Sequence, residues 1–229
     1  MRIRRVHVEW ANGQADLDCR GEGGFPLPIV GIIGNNGSGK TLLMEVIVRL
    51  FADAINPSPR AYLDWDGISG WAEFEYKGAI STGMIEKGKV VQRLVFPDMR
   101  QLGSSIEDGV LIYNDKLLMN SNKVEPLLHD LYKGTIKNSV LWIDDFDRGL
   151  ARTNAYKFLQ VLTKKALEGG NQLIVGTHNK EVLEGIGWDN QRVLTGWEDV
   201  VERAMGKLNK ASTAQKASTA QKADTYLGY

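Results

Sequence analysis

Cysteine is almost absent from this chain: Cys19 is the only one among 229 residues. One thiol excludes an internal disulfide and a cysteine-rich metal cluster, the pattern of a reducing compartment, and Cys19 reads as a small packing residue. Net charge is also absent, because 28 basic residues cancel 28 acidic ones. That balance argues against an extended polyanion-binding face, so DNA is not indicated by charge, although a neutral total leaves room for a local patch. No apolar run approaches the roughly 20 residues a bilayer span needs. The opening Met1-Arg2-Ile3-Arg4-Arg5-Val6-His7-Val8 alternates instead of forming a signal-peptide core. A cytoplasmic protein with no membrane partner is expected. The length suits one α/β domain and is tight for two.

What is present alternates between strand and helix. Met1 to Val8 predicts an edge-type strand with Ile3, Val6 and Val8 buried and its arginines solvated. Gln14 to Arg20 predicts a returning strand, and Ile29-Val30-Gly31-Ile32-Ile33 a buried one aimed at a glycine-rich loop. Leu42, Leu43, Val46, Ile47, Leu50 and Phe51 recur at helical spacing from about Lys40, until Asn56-Pro57-Ser58-Pro59 breaks the pattern. Trp71–Tyr76, Ala79–Glu86 and Val90–Phe96 alternate between Gly-containing turns, predicting an antiparallel meander in a side layer. Leu102 to Asn138 is mixed, with its best helical piece at Val124–Tyr132. Val140-Leu141-Trp142-Ile143 predicts a central parallel strand ending in Asp144-Asp145. A helix over about Thr153–Glu168 follows, then a strand, Gln172–Val175, leading to Thr177-His178-Asn179. Past Leu208, Lys210-Ala211-Ser212-Thr213-Ala214-Gln215 is repeated by Lys216 to Gln221, a polar unit that cannot bury a core. The expected division is a catalytic domain over 1–208 and a linker or flexible tail over 209–229.

The chemistry concentrates in Gly34-Asn35-Asn36-Gly37-Ser38-Gly39-Lys40-Thr41, a full match to G-x-x-x-x-G-K-[ST]. Its small residues let successive backbone N–H groups turn inward around phosphates, and the following helix adds its positive end. Lys40, read as a solvent-facing loop lysine, is expected to reach the β- and γ-phosphates of ATP, and the Thr41 hydroxyl to ligate magnesium. The bland alternative, a chance glycine turn, has the buried strand before it and the amphipathic helix after it to explain. Asp144, at the end of an apolar strand, is expected to hold magnesium through water. Asp145 beside it suits orienting and polarising the attacking water, or else caps the next turn. His178, at another strand end, suits bridging the γ-phosphate and the water, or else is structural.

These residues resemble the ABC-type P-loop ATPases, and within them the branch that includes the chromosome-maintenance and recombination ATPases and the overcoming-lysogenization-defect family. The resemblance rests on the opening strand with Ile32–Thr41, on Ile143-Asp144-Asp145-Phe146-Asp147-Arg148-Gly149-Leu150, and on Ile174-Val175-Gly176-Thr177-His178-Asn179. It covers roughly the first 190 residues. It implies an α/β ABC-type ATPase fold, a mostly parallel central sheet flanked by helices with an antiparallel β side layer. It implies ATP with magnesium as cofactors, and Lys40, Asp145 and His178 as catalytic residues.

Three departures accompany the resemblance. Asp145 stands where the branch has Glu, and one methylene fewer retracts the carboxylate. No Leu-Ser-Gly-Gly signature occurs, but Met119-Asn120-Ser121-Asn122-Lys123 lies 23 residues before Asp144, which makes Ser121 the candidate contact to the opposite subunit's γ-phosphate. Asp144 follows Lys40 by only 104 residues, too few for coiled-coil arms. The glutamine that completes the magnesium site in such ATPases has two candidates, Gln92 and Gln101, and Gln101 suits a loop better. The resemblance further implies an ATP-dependent homodimer acting on a separate effector protein, in genome maintenance or defence against foreign DNA. A membrane-transporter subunit, a monomeric P-loop kinase and a non-hydrolysing scaffold are the rival readings.

Overall fold

The structure is a computed structural model that describes residues 1–34, 37–51, 65–94, 100–102, 105–107, 110–113, 121–147, 150–186 and 190–194. The repeat-bearing tail, Asn35, Asn36 and the Met119-Asn120 half of the degenerate signature lie outside the described residues. Two five-stranded sheets dominate.

The first sheet is antiparallel and runs in the order β2-β1-β4-β5-β6. Its strands are β1 (Arg2–Trp10), β2 (Gly13–Asp18), β4 (Ser69–Tyr76), β5 (Ala79–Glu86) and β6 (Lys89–Gln92). Turns at Lys77-Gly78 and Lys87-Gly88 join the last three, and positive φ at both residues of each pair matches the right-handed twist of a tight hairpin. The opening strand is interior, not an edge, because β2 pairs with one side of it and β4 with the other. Nor are its arginines simply solvated. Arg4 bonds Glu73 at 2.8 Å and Glu75 at 2.7 Å across the sheet, Arg2 donates to the Gly170 carbonyl at 3.3 Å, and Arg5 lies 5.1 Å over the Trp71 ring.

The second sheet is parallel, ordered β13-β3-β12-β11-β9. It comprises β3 (Ile29–Gly34), β9 (Val110–Tyr113), β11 (Val140–Ile143), β12 (Gln172–Thr177) and β13 (Gln191–Leu194). Every residue of β11 and β12 is buried, as a strand covered on both faces requires. A third, small sheet holds β7 (Arg100–Leu102), β8 (Ser105–Glu107) and β10 (Ile136–Lys137). The mixed region thus contains strands that hydropathy alone leaves unassigned.

The two-residue period of the central strands divides the core. Val30, Ile32, Val140, Trp142 and Ile174 face α1 (Lys40–Leu50) and join Ile3, Val6, Val8 and Phe74 of the antiparallel sheet in one cluster. Ile29, Leu141, Ile143, Leu173 and Val175 face the other way. They pack against Leu127 and Leu131 of α2 (Ser121–Lys133), against Ala155, Leu159, Leu162 and Ala166 of α3 (Arg152–Glu168), and against Leu183 and Ile186. The last two lie on a 3₁₀ helix, Lys180–Ile186. Because α1 is held between two sheets, its buried residues run nearly all round it: Leu43, Met44, Glu45, Val46, Ile47 and Val48 are consecutive. Among the described residues no helix is long and apolar enough to cross a membrane.

Candidate functional site

The carboxyl ends of β3, β11 and β12 are neighbours, since β12 pairs in parallel with both of the others. Whatever follows those three strands therefore meets at one edge. After β3 comes the glycine loop, with Gly37 at φ 82 and Gly39 at φ 91. A side chain at Gly39 would put its Cβ 2.7 Å from Ala15 Cβ, so the loop lies flat against the β1–β2 hairpin and α1 starts directly at Lys40.

Lys40 is buried, at 5 % exposure, rather than facing solvent. Its ammonium donates to the Gly34 carbonyl and stands 3.4 Å from His178 Nδ1. Burial holds the Lys40 ammonium below the ordinary lysine range, while the charges of Asp144, Asp145 and Asp147 pull it back up. Thr41 donates its hydroxyl to Asp144 Oδ2 at 2.9 Å. Asp144 is buried, and burial pushes its carboxyl above the usual range; the Thr41 hydrogen bond opposes that, the Asp145 charge adds to it and Lys40 opposes it. Its second oxygen, Oδ1, and the Ser38 hydroxyl are both buried without a hydrogen-bond partner among the described residues.

Asp145 follows in a left-handed conformation, φ 48, which side chains rarely adopt. Its Oδ1 lies 3.1 Å from His178 Nε2. A lysine ammonium only donates, so His178 Nδ1 is the acceptor and Nε2 carries the proton toward the carboxylate. Lys40, Thr41, Asp144, Asp145 and His178 thus form one connected group, although Asp144 and His178 come from different strands.

The remaining candidates do not join it on the described atoms. Gln92 sits on β6 and donates Nε2 to the Thr82 carbonyl at 2.8 Å, inside the antiparallel sheet. Gln101 lies in strand β7, paired with Ile106, and not in a loop. Ser121 opens α2. The side chains of Gln101 and Ser121 lie outside the described residues. Thr177 and Asp147, which the sequence shows inside the two motifs but without roles of their own, meet at the same edge: Thr177 donates its hydroxyl to Asp147 Oδ1 at 2.6 Å, tying the two carboxyl-edge turns together.

The site's chemistry fits magnesium. A hard cation takes oxygen ligands, and the oxygens gathered here are the Thr41 hydroxyl, bonded to Asp144 Oδ2, and the second, buried oxygen of the same carboxylate. A second positive charge there offsets the desolvation that raises Asp144.

No protein-family model matches the chain, and no curated protein does. Solved structures are similar to it, and two of them are SMC heads. One is the SMC head domain from Thermotoga maritima, at 16 % identity with a TM-score of 0.47, over 81 % of this chain and 92 % of that one. The other is an SMC head bound to the C-winged helix domain of ScpA, at 9 % identity with a TM-score of 0.51, over 81 % and 92 %. Identity this low speaks to fold alone, and together with the sheet order it makes the fold an α/β, P-loop ABC-ATPase-like one, a parallel central sheet with antiparallel side strands, as in an SMC head.

Proposed function

We propose that this chain is a magnesium-dependent ATPase whose two copies sandwich ATP, close on binding it and open after hydrolysis, transmitting that change to a separate effector protein. The observation that carries the reading is the convergence of Lys40, the Thr41–Asp144 pair and the Asp145–His178 pair on one strand edge. Lys40 binds the β- and γ-phosphates together with the backbone N–H groups of the glycine loop. Thr41 and Asp144 hold magnesium, which when bound polarises phosphate oxygens. Asp145 orients the attacking water and accepts its proton, and the Nε2–H of His178 holds the Asp145 carboxylate in place. Ser121 of the opposite copy contacts the γ-phosphate, and Gln101 completes the magnesium site.

Likeness to an SMC head supports a setting in genome maintenance, or in defence against foreign DNA, within the cytoplasm; this step is an analogy of fold. DNA contact is not part of the reading, because the chain is neutral overall.

The test is Lys40→Ala. Charge-assisted contacts to phosphate contribute about 1.5–3 kcal/mol each, so ATP affinity should fall by roughly 10²-fold in a calorimetric titration. The melting temperature should hold or rise, since the buried ammonium is itself disfavoured by desolvation. Unchanged affinity for ATP would remove the basis of the reading.

A further inference from the structure

The end of β12 meets the turn after β11 through three consecutive residues, and each addresses a different part of that turn. Gly176 accepts the Phe146 N–H on its carbonyl at 2.9 Å, and a Cβ there would lie 2.8 Å from Asp144 Oδ1. Thr177 donates its hydroxyl to Asp147 Oδ1 at 2.6 Å. His178 lies 3.1 Å from Asp145 Oδ1. Three aspartates in four positions are thus met by the three consecutive residues Gly176-Thr177-His178.

Thr177 is the member whose geometry is fully determined. It is completely buried, so water does not substitute for its partners. Its single hydroxyl proton goes to an acceptor-only carboxylate, which leaves its lone pair for the Asn179 N–H at 3.0 Å. One oxygen therefore holds both turns, residues 144–147 and 177–179. The need for such a hold is visible in Asp145, whose φ of 48 relaxes unless its neighbours are fixed. Phe146 is fixed by Gly176 and Asp147 by Thr177, and Asp145 is presented between Asp144 and that clipped pair.

We propose that Thr177 is a positioning residue: its hydroxyl clips the carboxylate turn to the histidine turn and so sets where Asp145 and His178 stand relative to each other. The role rests on the ATPase reading above, since it is in hydrolysis that this alignment is used. Among the described residues the Thr177 hydroxyl bonds Asp147 and the Asn179 N–H, and no residue of the phosphate-binding loop. Loss of its hydroxyl should therefore leave ATP binding intact and slow only the chemical step.

The experiment uses the full chain with Thr177→Val, which keeps shape and removes the hydroxyl, Thr177→Ser, which restores it, and Asp147→Ala alone and combined with Thr177→Val. Single-turnover hydrolysis of magnesium-ATP should fall at least about tenfold in Thr177→Val, with ATP affinity within about threefold of the wild type. Thr177→Ser should recover the rate to within about threefold. The double variant should be no slower than the slower single one, as for two ends of one contact. Should Thr177→Val fail to fold, Asp147→Ala carries the same expectation from the other end of the bond. Affinity falling in step with rate would make Thr177 merely structural and overturn the proposal, as would additive effects in the double variant. Amide exchange separates this failure from failure of the ATPase reading. If the wild-type chain does not hydrolyse ATP, that reading falls, and the clip is judged by the Asn179 amide, which should exchange at least tenfold faster in Thr177→Val. Unchanged exchange there overturns the clip.

Discussion

The two five-stranded sheets share one core and differ in almost everything else. The antiparallel sheet buries one face and puts a charged ladder on the other, with Arg4 bonded to Glu73 and Glu75 and His7 Nδ1 2.6 Å from Asp16. The parallel sheet buries both faces of β11 and β12, and at its carboxyl edge Lys40, Asp144, Asp145 and His178 meet. Polar pairs on the open face cost little to rearrange in water, so they hold strands in register without enforcing a single geometry. Polar groups at the covered edge sit where unmade bonds are expensive, and that is where a fixed arrangement of donors and charges is maintained. Division of labour follows: one sheet supplies cover for α1, the other carries the candidate site.

The sharpest way to break that comparison is at the seam. Gln172 of β12 is buried, accepts the Ile3 N–H on Oε1 at 2.6 Å, and donates Nε2 to the carbonyls of Ile3 and Leu27, each at 2.9 Å. One amide thus pairs backbone groups 169 positions away and joins the two sheets. Gln172→Ala leaves those groups unpaired beside a cavity, and should cost about 3 kcal/mol, or roughly 6–12 °C in melting temperature. ATP affinity at low temperature should change by less than about twofold, because the seam is remote from the glycine loop. Calorimetric melting beside a binding titration checks both, and a stable variant with weakened binding would mean that the antiparallel sheet shapes the site.

How far each sheet was legible follows from the range of its contacts. The glycine loop, the apolar strands and the carboxylates ending β11 are set by adjacent residues, so Lys40, Thr41, Asp144 and Asp145 stand out as candidates from local pattern, and His178 from its place after them. Pairings that span the chain do not. Arg4 reads as a solvated arginine until β4 is placed beside β1, and Thr177 reads as a strand end until Asp147 is seen opposite. Lys40 looks solvent-facing for the same reason: its burial comes from strands distant in sequence. Helical periodicity also understates α1, since a helix covered by two sheets has no solvent face to reveal by alternation.

A second break acts on the chemical edge alone. Asp145→Asn keeps size and hydrogen-bonding capacity and removes the basic carboxylate, so hydrolysis should fall by roughly 10²-fold while ATP binding survives. With its negative charge gone from beside the γ-phosphate, the closed form should accumulate. Light scattering should then show a dimer with ATP and magnesium and a smaller species with ADP, beside a phosphate-release assay that shows the lost turnover. Full activity would strip Asp145 of its role and favour a site in which the shorter carboxylate only binds. A monomer under every condition would favour the kinase reading.

The smallest effect sharpens the comparison most, because it separates stability from function at a single atom. Burial raises the Asp144 carboxyl pKa, so the folded chain holds that proton more tightly than the unfolded chain does. The contribution to stability is therefore favourable at acid pH, declines as pH rises from the ordinary aspartate value through the raised one, and stays at its unfavourable limit above that. Asp144→Asn has no proton to lose, and its amide oxygen still accepts the Thr41 hydroxyl bond. At neutral pH it should melt above the wild type, and the gap should close as pH falls towards the ordinary aspartate value, about 4. Magnesium-dependent hydrolysis should be lost in the same variant, the exchange of stability for activity expected of a charge kept buried for its chemistry. A parallel pair of melting curves across pH, wild type against variant, decides it. A variant less stable at neutral pH would mean that Lys40 and Thr41 already offset the Asp144 charge within the protein, and that the carboxylate edge, like the open face of the antiparallel sheet, is electrostatically satisfied without a bound cation.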